Sequence, residues 1–191
     1  MLIIGLTGSI GMGKTETAKM FARHGVPVCD SDATVHFLYD KGGLAVGPIQ
    51  ALFPDAVIDG RVDRDVLGRA VLGKPEALKA LEAVVHPLFG IAQRDFLARA
   101  ASSGATMAVI DVPLLFETSG EKRVDVVVVV SAPAELQRER VMARPGMTAE
   151  KFDLIVKKQV SDAEKRRRAD FVVDSSRGLE HAEAQVVAII E

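Results

Sequence analysis

The sequence predicts an α/β fold of three layers, with a five-stranded parallel sheet and helices on both of its faces. Two observations support this prediction. Short apolar segments alternate with segments of helical spacing along the 191 residues, which is typical of parallel sheets covered on both faces. A glycine-rich loop also joins the first apolar segment to the first helical one, as in phosphate-binding-loop (P-loop) proteins.

The predicted strands are short and mostly apolar, as expected for strands buried on both faces. They are residues 2–6, 26–29, 106–111, 124–130 and 171–173. In open parallel sheets, ligands bind at the carboxyl ends of the strands. Residues that end or follow a strand, such as Asp30, Asp32 and Asp111, are therefore candidates for function.

Apolar residues recur at helical spacing between these strands. The predicted helices are residues 15–24, 33–39, 63–72, 75–101, 133–144, 148–158 and 179–190. Pro87 should kink or divide the long fourth helix, residues 75–101, because proline lacks the N–H that continues the ladder. Residues 41–60, rich in Gly and Pro, predict only short helices. We interpret the basic stretch 165–168 as a solvated face, with contact to the substrate or ATP as the alternative.

Composition narrows the functional classes. The length indicates one domain, and the net charge of −2 gives no general attraction for a nucleic-acid backbone. Cys29 is the one cysteine and is expected to be buried and inert. Neither a signal peptide nor a membrane span is evident. We expect a cytoplasmic protein, a monomer or weak homo-oligomer, with no nucleic-acid or membrane partner.

The loop from Gly8 to Thr15, GSIGMGKT, matches the Walker A pattern. Its glycines let backbone N–H groups approach phosphate, and the following helix adds the positive end of its dipole. Lys14 should contact the outer phosphates, and the Thr15 hydroxyl should bind Mg²⁺. The expected ATP-binding residues are Gly11, Met12, Gly13, Lys14, Thr15 and Glu16.

The remaining motifs favour a small-molecule kinase. A switch GTPase needs an Asn-Lys-x-Asp segment to read guanine, and this sequence has none. No DxxG segment follows the third predicted strand either, where the chain reads DVPLLFE from Asp111 to Glu117. ABC-type and helicase-type ATPases normally need longer chains and more motifs.

Carboxylates at strand ends are candidates for catalysis and metal binding. Asp32 follows the second predicted strand and could orient an attacking hydroxyl, although a carboxylate at a helix start is more often a cap. Asp30 is the neighbouring candidate for either role. Asp111 resembles a Walker B carboxylate that holds Mg²⁺, or it is a hydrogen-bond acceptor at a strand end. Glu117 is a weaker metal candidate.

Three arginines in residues 133–144 could contact phosphate, because guanidinium groups match its oxygens. They are Arg138, Arg140 and Arg144. Arg140 and Arg144 share a helix face if the helix persists to Arg144. The alternative is a solvated basic face.

Seven segments, in order over nearly the whole chain, resemble the dephospho-CoA kinase family. They read GLTGSIGMGKT, GVPVCDSDA, DGRVDRDVLGRAVL, LEAVVHPL, VIDVPLLFE, ERVMAR and ADFVVDSS. The resemblance implies phosphorylation of the ribose 3′-hydroxyl of dephospho-CoA with ATP and Mg²⁺, the last step of coenzyme A synthesis.

The resemblance also implies an organisation and residue roles. The core is residues 1–32, 102–136 and 166–191, the helical substrate-binding region 33–101, and the lid 137–165. Asp32 maps onto the family's proposed base. Lys14 and Arg140 are expected to be catalytic, and Arg144 to contact ATP, while Thr15 and Asp111 hold Mg²⁺.

Two departures from the family pattern stand out. Ser9 replaces a frequent second glycine, a mild change within the loop. The family usually has an arginine soon after His-Pro-Leu, but here the segment from His86 to Gly90 reads HPLFG. A basic contact to the substrate is either missing there or supplied by Arg94. His86 itself is either a substrate-side structural residue or an ordinary helix histidine.

Two rival functions remain at this point. Another P-loop kinase would phosphorylate a nucleoside, a nucleotide or a small metabolite. A nucleotide sensor would bind ATP without catalysis, although the set of Lys14, Thr15, Asp32 and Asp111 argues against it.

Overall fold

The computed structural model describes all residues, 1–191. The chain forms two compact units. We call residues 1–29 with 100–191 the sheet unit and residues 30–99 the helical unit. The division falls close to the predicted limits of the helical region, but it does not bear on the lid, whose limits stay a prediction.

Strands and helices are numbered in chain order. The strands are β1 (Leu2–Thr7), β2 (Val28–Asp30), β3 (Val57–Ile58), β4 (Arg61–Val62), β5 (Met107–Asp111), β6 (Val126–Ser131) and β7 (Phe171–Asp174). The α-helices are α1 (Lys14–Arg23), α2 (Ser31–Tyr39), α3 (Val46–Leu52), α4 (Arg64–Val71), α5 (Pro75–Ser102), α6 (Ala134–Met142), α7 (Ala149–Lys158), α8 (Asp162–Arg168) and α9 (Leu179–Ile190).

Five strands form one parallel sheet in the order β2-β5-β1-β6-β7, which confirms the predicted fold class. The central strand β1 pairs with β5 on one side and β6 on the other, so that Leu6 lies opposite both Asp111 and Val128. At the edge, Ser131 of β6 pairs with Asp174 of β7. Parallel pairing brings the carboxyl ends of these strands to one edge of the sheet.

Both faces of the sheet are buried, because side chains along a strand point alternately to opposite faces. Val128 and Val130 of β6 join the core that includes Phe21 of α1 and Val186 of α9. Val129, between them, joins a second core on the other face, with Leu115, Phe116 and Val127 as its further buried members. The run of five valines therefore contributes to a core on each face of the sheet.

The helical unit has its own core, separate from those of the sheet. Its buried members come from α2 to α5 and the connections between them: Leu38, Ala45, Ile49, Ala56, Val62, Leu67, Leu81 and Val85. The Asp63 carboxylate accepts from the Asp65 and Val66 N–H groups and caps α4, as its position before a helical pattern predicts.

Three features of the structure differ from the sequence predictions. The hairpin β3–β4 was not predicted, since strands of two residues are too short for alternation to show. The Asp59-Gly60 turn between them, with φ of 51° and 77°, is the signal that could have revealed it.

Helix α5 continues through Pro87 without division. The prediction that Pro87 divides it is wrong, because Leu81 and Val85 before the proline, and Leu88 and Phe89 after it, pack on the same core. Their burial offsets the single hydrogen bond that proline removes.

The basic stretch 165–168 belongs to a helix, α8, which was not among the predicted helices. The Ser161 hydroxyl caps it by accepting from the Glu164 N–H at 3.3 Å, and its acidic first turn and basic last turn suit the helix dipole.

No helix of the structure is both long and apolar enough to cross a membrane.

Candidate active site

The loop between β1 and α1 has the geometry of an anion-binding cradle. Gly11 and Gly13 have φ of 79° and 94°, a region that side chains rarely adopt. No side chain caps α1, and no acceptor within the protein pairs with the N–H groups of its first turn, Lys14, Thr15 and Glu16. Unpaired N–H groups at the positive end of a helix dipole bind anions.

Close packing also requires glycine at position 11. A Cβ atom there would lie 2.5 Å from Cγ2 of Val141 and 3.0 Å from the carbonyl oxygen of Gln137. Helix α6, which carries both residues, therefore lies directly against the loop.

Lys14 and Asp111 form an ion pair at the carboxyl edge of the sheet. Both side chains are largely buried, with 16% and 5% exposed. Asp111 ends β5, whose neighbour β1 leads into the loop, so parallel pairing brings the two charges together. Nearby along the chain, the Thr15 side chain is exposed and makes no hydrogen bond, which leaves its hydroxyl accessible to a ligand.

These oxygen donors fit Mg²⁺. Magnesium is usually held by one or two protein oxygens, with waters and substrate phosphates completing its octahedron. The Thr15 hydroxyl and the Asp111 carboxylate are such hard donors. The structure contains no cluster of three or more His, Cys, Asp or Glu side chains that could hold a metal.

Arg140 lies beside the loop. Its guanidinium donates to the Ser175 hydroxyl at 2.8 Å and to the Ser175 carbonyl oxygen at 2.7 Å. The Ser175 hydroxyl in turn donates to the Met12 carbonyl oxygen at 2.7 Å. A chain of hydrogen bonds thus connects α6, the loop after β7 and the phosphate loop.

Arg144 lies beyond α6, which ends at Met142. The predicted helix to Arg144 is therefore too long, and the two arginines do not share a helix face. Pro145 disfavours helical backbone at the residue before it. The Arg144 side chain is exposed and has no hydrogen-bond or ion-pair partner, so it can move to a ligand.

Arg138 turns away from the loop. It pairs with Asp153 of α7 at 3.2 Å and lies over the Phe152 ring, 5.2 Å from its centroid. These contacts tie α6 to α7 and use the charge that could otherwise have met phosphate.

The two aspartates after β2 have different surroundings. The Asp30 carboxylate accepts from the Ala33 N–H at 3.0 Å and caps α2. Asp32, in the first turn of α2, is exposed and its carboxylate makes no hydrogen bond or ion pair. The capping alternative therefore applies to Asp30, and the Asp32 carboxylate is available for another role.

Comparison with known proteins decides the family. The family model described as dephospho-CoA kinase matches residues 2–181. The chain belongs to the dephospho-CoA kinase family. A dephospho-CoA kinase of Mesorhizobium japonicum is 59% identical over 191 residues, covering 100% of this chain and 96% of the relative. One of Rhodopseudomonas palustris is 56% identical, covering 100% and 95%.

Solved structures agree on the fold. A Thermus thermophilus protein, TT1252, superposes with a TM-score of 0.81 at 37% identity, covering 99% of this chain and 96% of that one. Dephospho-CoA kinase from Campylobacter jejuni superposes with a TM-score of 0.73 at 22% identity, covering 98% and 94%. The chain is therefore an enzyme with a P-loop kinase fold.

The departure from the dephospho-CoA kinase pattern lies on α5. His86 is exposed there. Arg94 reaches back along the helix, since a Cβ atom at Gly90 would lie 3.5 Å from its Nη1 atom. The Arg94 guanidinium thus lies beside Gly90, one turn nearer to His86 than its own Cα.

Lys165 corrects the interpretation of residues 165–168 as a solvated face. Its side chain is fully buried, and its ammonium lies 3.0 Å from Oε1 of Glu117, which is 14% exposed. The contact is close enough for an ion pair but is not aligned as a hydrogen bond. Glu117, a weaker metal candidate by sequence, also accepts from the Val160 N–H at 2.8 Å.

Sequence reasoning missed a pocket of about 410 Å³ at the carboxyl ends of β6 and β7. Met12, Ser131, Asp162, Arg166 and Asp174 contribute to its lining, whereas Lys14, Thr15 and Asp111 do not. Hydrogen bonding by Ser176 lowers the pKa of the Asp174 carboxyl, so this carboxylate is charged near neutral pH. The position of Ser131 and Asp174 at strand ends was the signal for this site.

Cys29 is buried, as predicted.

Proposed function

We propose that the phosphate loop, Asp111, Asp32 and the arginines of residues 140–144 carry out the reaction of the dephospho-CoA kinase family in this chain. As a member of that family, the chain phosphorylates dephospho-CoA with ATP, the final step of coenzyme A biosynthesis. The observation that supports this division of roles best is the cradle of unpaired N–H groups next to the Lys14–Asp111 pair.

The loop binds the phosphates of ATP in this proposal. Backbone N–H groups of Gly11, Gly13, Lys14, Thr15 and Glu16 form the cradle, and Met12 contributes to the turn of the loop, since its N–H donates to the Ser9 carbonyl oxygen at 3.1 Å. The Lys14 ammonium, held by Asp111, exchanges part of this pairing for the outer phosphates. Such preorganised donors stabilise charge without reorganising at the moment of reaction.

Thr15 and Asp111 hold Mg²⁺ in this proposal, the threonine through its hydroxyl and the aspartate directly or through water. When bound, the ion would neutralise charge on the phosphates. Asp111 is buried, and Lys14 is the cation paired with it in the structure.

Asp32 orients the ribose 3′-hydroxyl of dephospho-CoA and accepts its proton as the oxygen attacks the γ-phosphorus. The bond from that phosphorus to the bridging oxygen breaks, and ADP leaves. Arg140 and Arg144 spread their charge over the transferring group. The lid of residues 137–165 excludes water, which limits wasteful hydrolysis of ATP.

We propose a cytoplasmic enzyme that acts as a monomer or weak homo-oligomer, with no nucleic-acid or membrane partner. The net charge of −2 supports the lack of a nucleic-acid partner.

A coupled assay of ADP release tests the function. We expect release with ATP, Mg²⁺ and dephospho-CoA together, and little without the acceptor. Release with a nucleotide or metabolite acceptor but not with dephospho-CoA would identify another P-loop kinase. Binding of ATP without acceptor-dependent release would identify a nucleotide sensor.

A further inference from the structure

Ile10, at the tip of the phosphate loop, is held through both its backbone polar groups by glutamine side chains. Its N–H donates to Oε1 of Gln159 at 3.1 Å. Its carbonyl oxygen accepts from Nε2 of Gln137 at 2.8 Å. Gln137 is 7% exposed, and Gln159 is half-buried at the end of α7.

The orientations of the two amides follow from backbone chemistry. A peptide N–H can only donate and a carbonyl oxygen can only accept. Gln159 must therefore present its oxygen to Ile10, and Gln137 must present its NH₂ group. The two residues have the same side chain but opposite hydrogen-bonding roles.

The two glutamines lie on either side of the segment that contains the α6–α7 connection. Gln137 is in α6, and Gln159 follows directly after α7. Two residues of the proposed lid, 137–165, thus meet at a single residue of the phosphate loop.

A buried network supports the Gln159 end. The neighbouring Val160 N–H donates to Glu117 at 2.8 Å, and the buried Lys165 ammonium lies 3.0 Å from the same carboxylate oxygen. Asp162 accepts from the Ser131 hydroxyl at 2.7 Å. Because these contacts fix the backbone around residue 160, Gln159 is presented to Ile10 from a rigid base.

We propose that Gln137 and Gln159 are positioning residues that clamp Ile10 and so keep the phosphate loop in the shape that binds phosphate. The inference rests on the proposed role of this loop in binding ATP. Loss of either hydrogen bond should let the tip of the loop shift, and the N–H groups that follow it would no longer match the phosphates. Small misplacements of this kind cost large factors in rate.

Substitution by glutamate tests the clamp, because a carboxylate can accept but cannot donate. Gln159→Glu keeps the bond to the Ile10 N–H, whereas Gln137→Glu places a carboxylate against the Ile10 carbonyl oxygen. We expect kcat/KM for ATP within about threefold of wild type for Gln159→Glu. We expect it to be about 10- to 100-fold lower for Gln137→Glu, Gln137→Met and Gln159→Ala. The KM for dephospho-CoA should be unchanged in all of them.

Thermal midpoints recorded for each variant separate positioning from folding. If Gln137→Glu does not fold, Gln137→Met, which removes the donor without adding charge, is the deciding variant. Equal loss in Gln159→Glu and Gln159→Ala, or wild-type kinetics in Gln137→Met, would overturn the clamp. An inactive wild-type enzyme would instead contradict the proposed function.

Discussion

The sheet unit and the helical unit present their functional candidates in different ways. The sheet unit contains two largely buried charge pairs, Lys14 with Asp111 and Lys165 with Glu117, although its Arg144 is exposed. In the helical unit, the candidates Asp32, His86 and Arg94 are all exposed, and the Asp32 carboxylate has no partner.

This difference follows from what each unit is proposed to bind. Phosphate is met by fixed backbone dipoles and a positioned ammonium, which work best when the protein has already organised them. Exposed groups on helices instead gain their partners from the substrate. Changes in the sheet unit should therefore affect both folding and catalysis, and changes at the exposed candidates should affect catalysis alone.

Of the substitutions that test this contrast, Asp32→Asn should have the largest effect, a loss of turnover. Removing a general base typically lowers turnover by about 10² to 10⁴, and we expect kcat to fall in this range. ATP binding and the thermal midpoint should stay at wild-type values, because the Asp32 carboxylate makes no contact in the protein. Steady-state kinetics and a titration with ATP measure both. Near-normal turnover would remove Asp32 as the base.

Asp30→Asn is the matched control for this substitution. Asparagine caps helices as well as aspartate does, so this variant should keep both stability and turnover. If it loses as much turnover as Asp32→Asn, the two aspartates have been assigned the wrong way round.

Substitutions in the buried pair of Lys165 with Glu117 should lower the free energy of unfolding of the protein. Glu117→Gln keeps an acceptor for the Val160 N–H but leaves the Lys165 ammonium without a compensating charge. Breaking a buried pair in this way costs about 3 to 5 kcal/mol, measured by urea unfolding. Glu164→Gln, on the same helix as Lys165, is the control. It removes the surface pair with Arg167, whose side chain is 76% exposed, and should change the free energy of unfolding by less than about 1 kcal/mol.

A double substitution sharpens this prediction. Glu117→Leu with Lys165→Met replaces both charges by apolar groups and should recover much of the stability that either single change loses. If the single and double variants are equally stable, the pairing of Lys165 with Glu117 does not contribute to the stability of the protein.

Arg94→Met should have a smaller effect, confined to the acceptor. A charge-assisted hydrogen bond contributes about 1.5 to 3 kcal/mol, so we expect the KM for dephospho-CoA to rise about 10-fold or more. The KM for ATP and the thermal midpoint should not change. Arg99→Met removes an equal charge from α5 and is the control. An effect of similar size in both variants would point to general electrostatic attraction instead.

Glu183→Gln should have the smallest effect. Glu183 pairs with Arg23 at 3.0 Å and His24 at 3.1 Å between α1 and α9, and hydrogen bonding from Arg23 lowers the pKa of its carboxyl. A lowered pKa in the folded state stabilises the protein above the unfolded pKa, and this stabilisation disappears as the pH falls through the folded pKa. The variant should thus melt slightly below wild type at pH 7.

At a pH well below the pKa of a normal glutamate, the two melting temperatures should converge. Added salt at pH 7 should also bring them together, because the pair is exposed to solvent. A difference that persists at low pH would show that the glutamate contributes by packing rather than by charge.

Much of the fold could be predicted from the sequence. The five strands, the parallel sheet and seven of the helices follow from alternating apolar segments, helical spacing and caps such as Asp63 and Thr148. These signals come from residues close together in the sequence, and interactions between such residues decide whether each strand or helix forms. The hairpin β3–β4, the continuity of α5 through Pro87 and the helix α8 were not predicted, because packing and short-range turn geometry outweighed the local pattern.

The phosphate loop of Gly8–Thr15 and the family resemblance were determined by the sequence alone, since contiguous residues carry the chemistry of the loop. Only the tertiary structure decided which charges meet. The pairing of Lys165 with Glu117, and the contact of Gln137 and Gln159 with Ile10, join residues that are far apart along the chain. No spacing in the sequence encodes such contacts, because they depend on how β1, β5 and β6 pair and on how α6 and α8 pack against them.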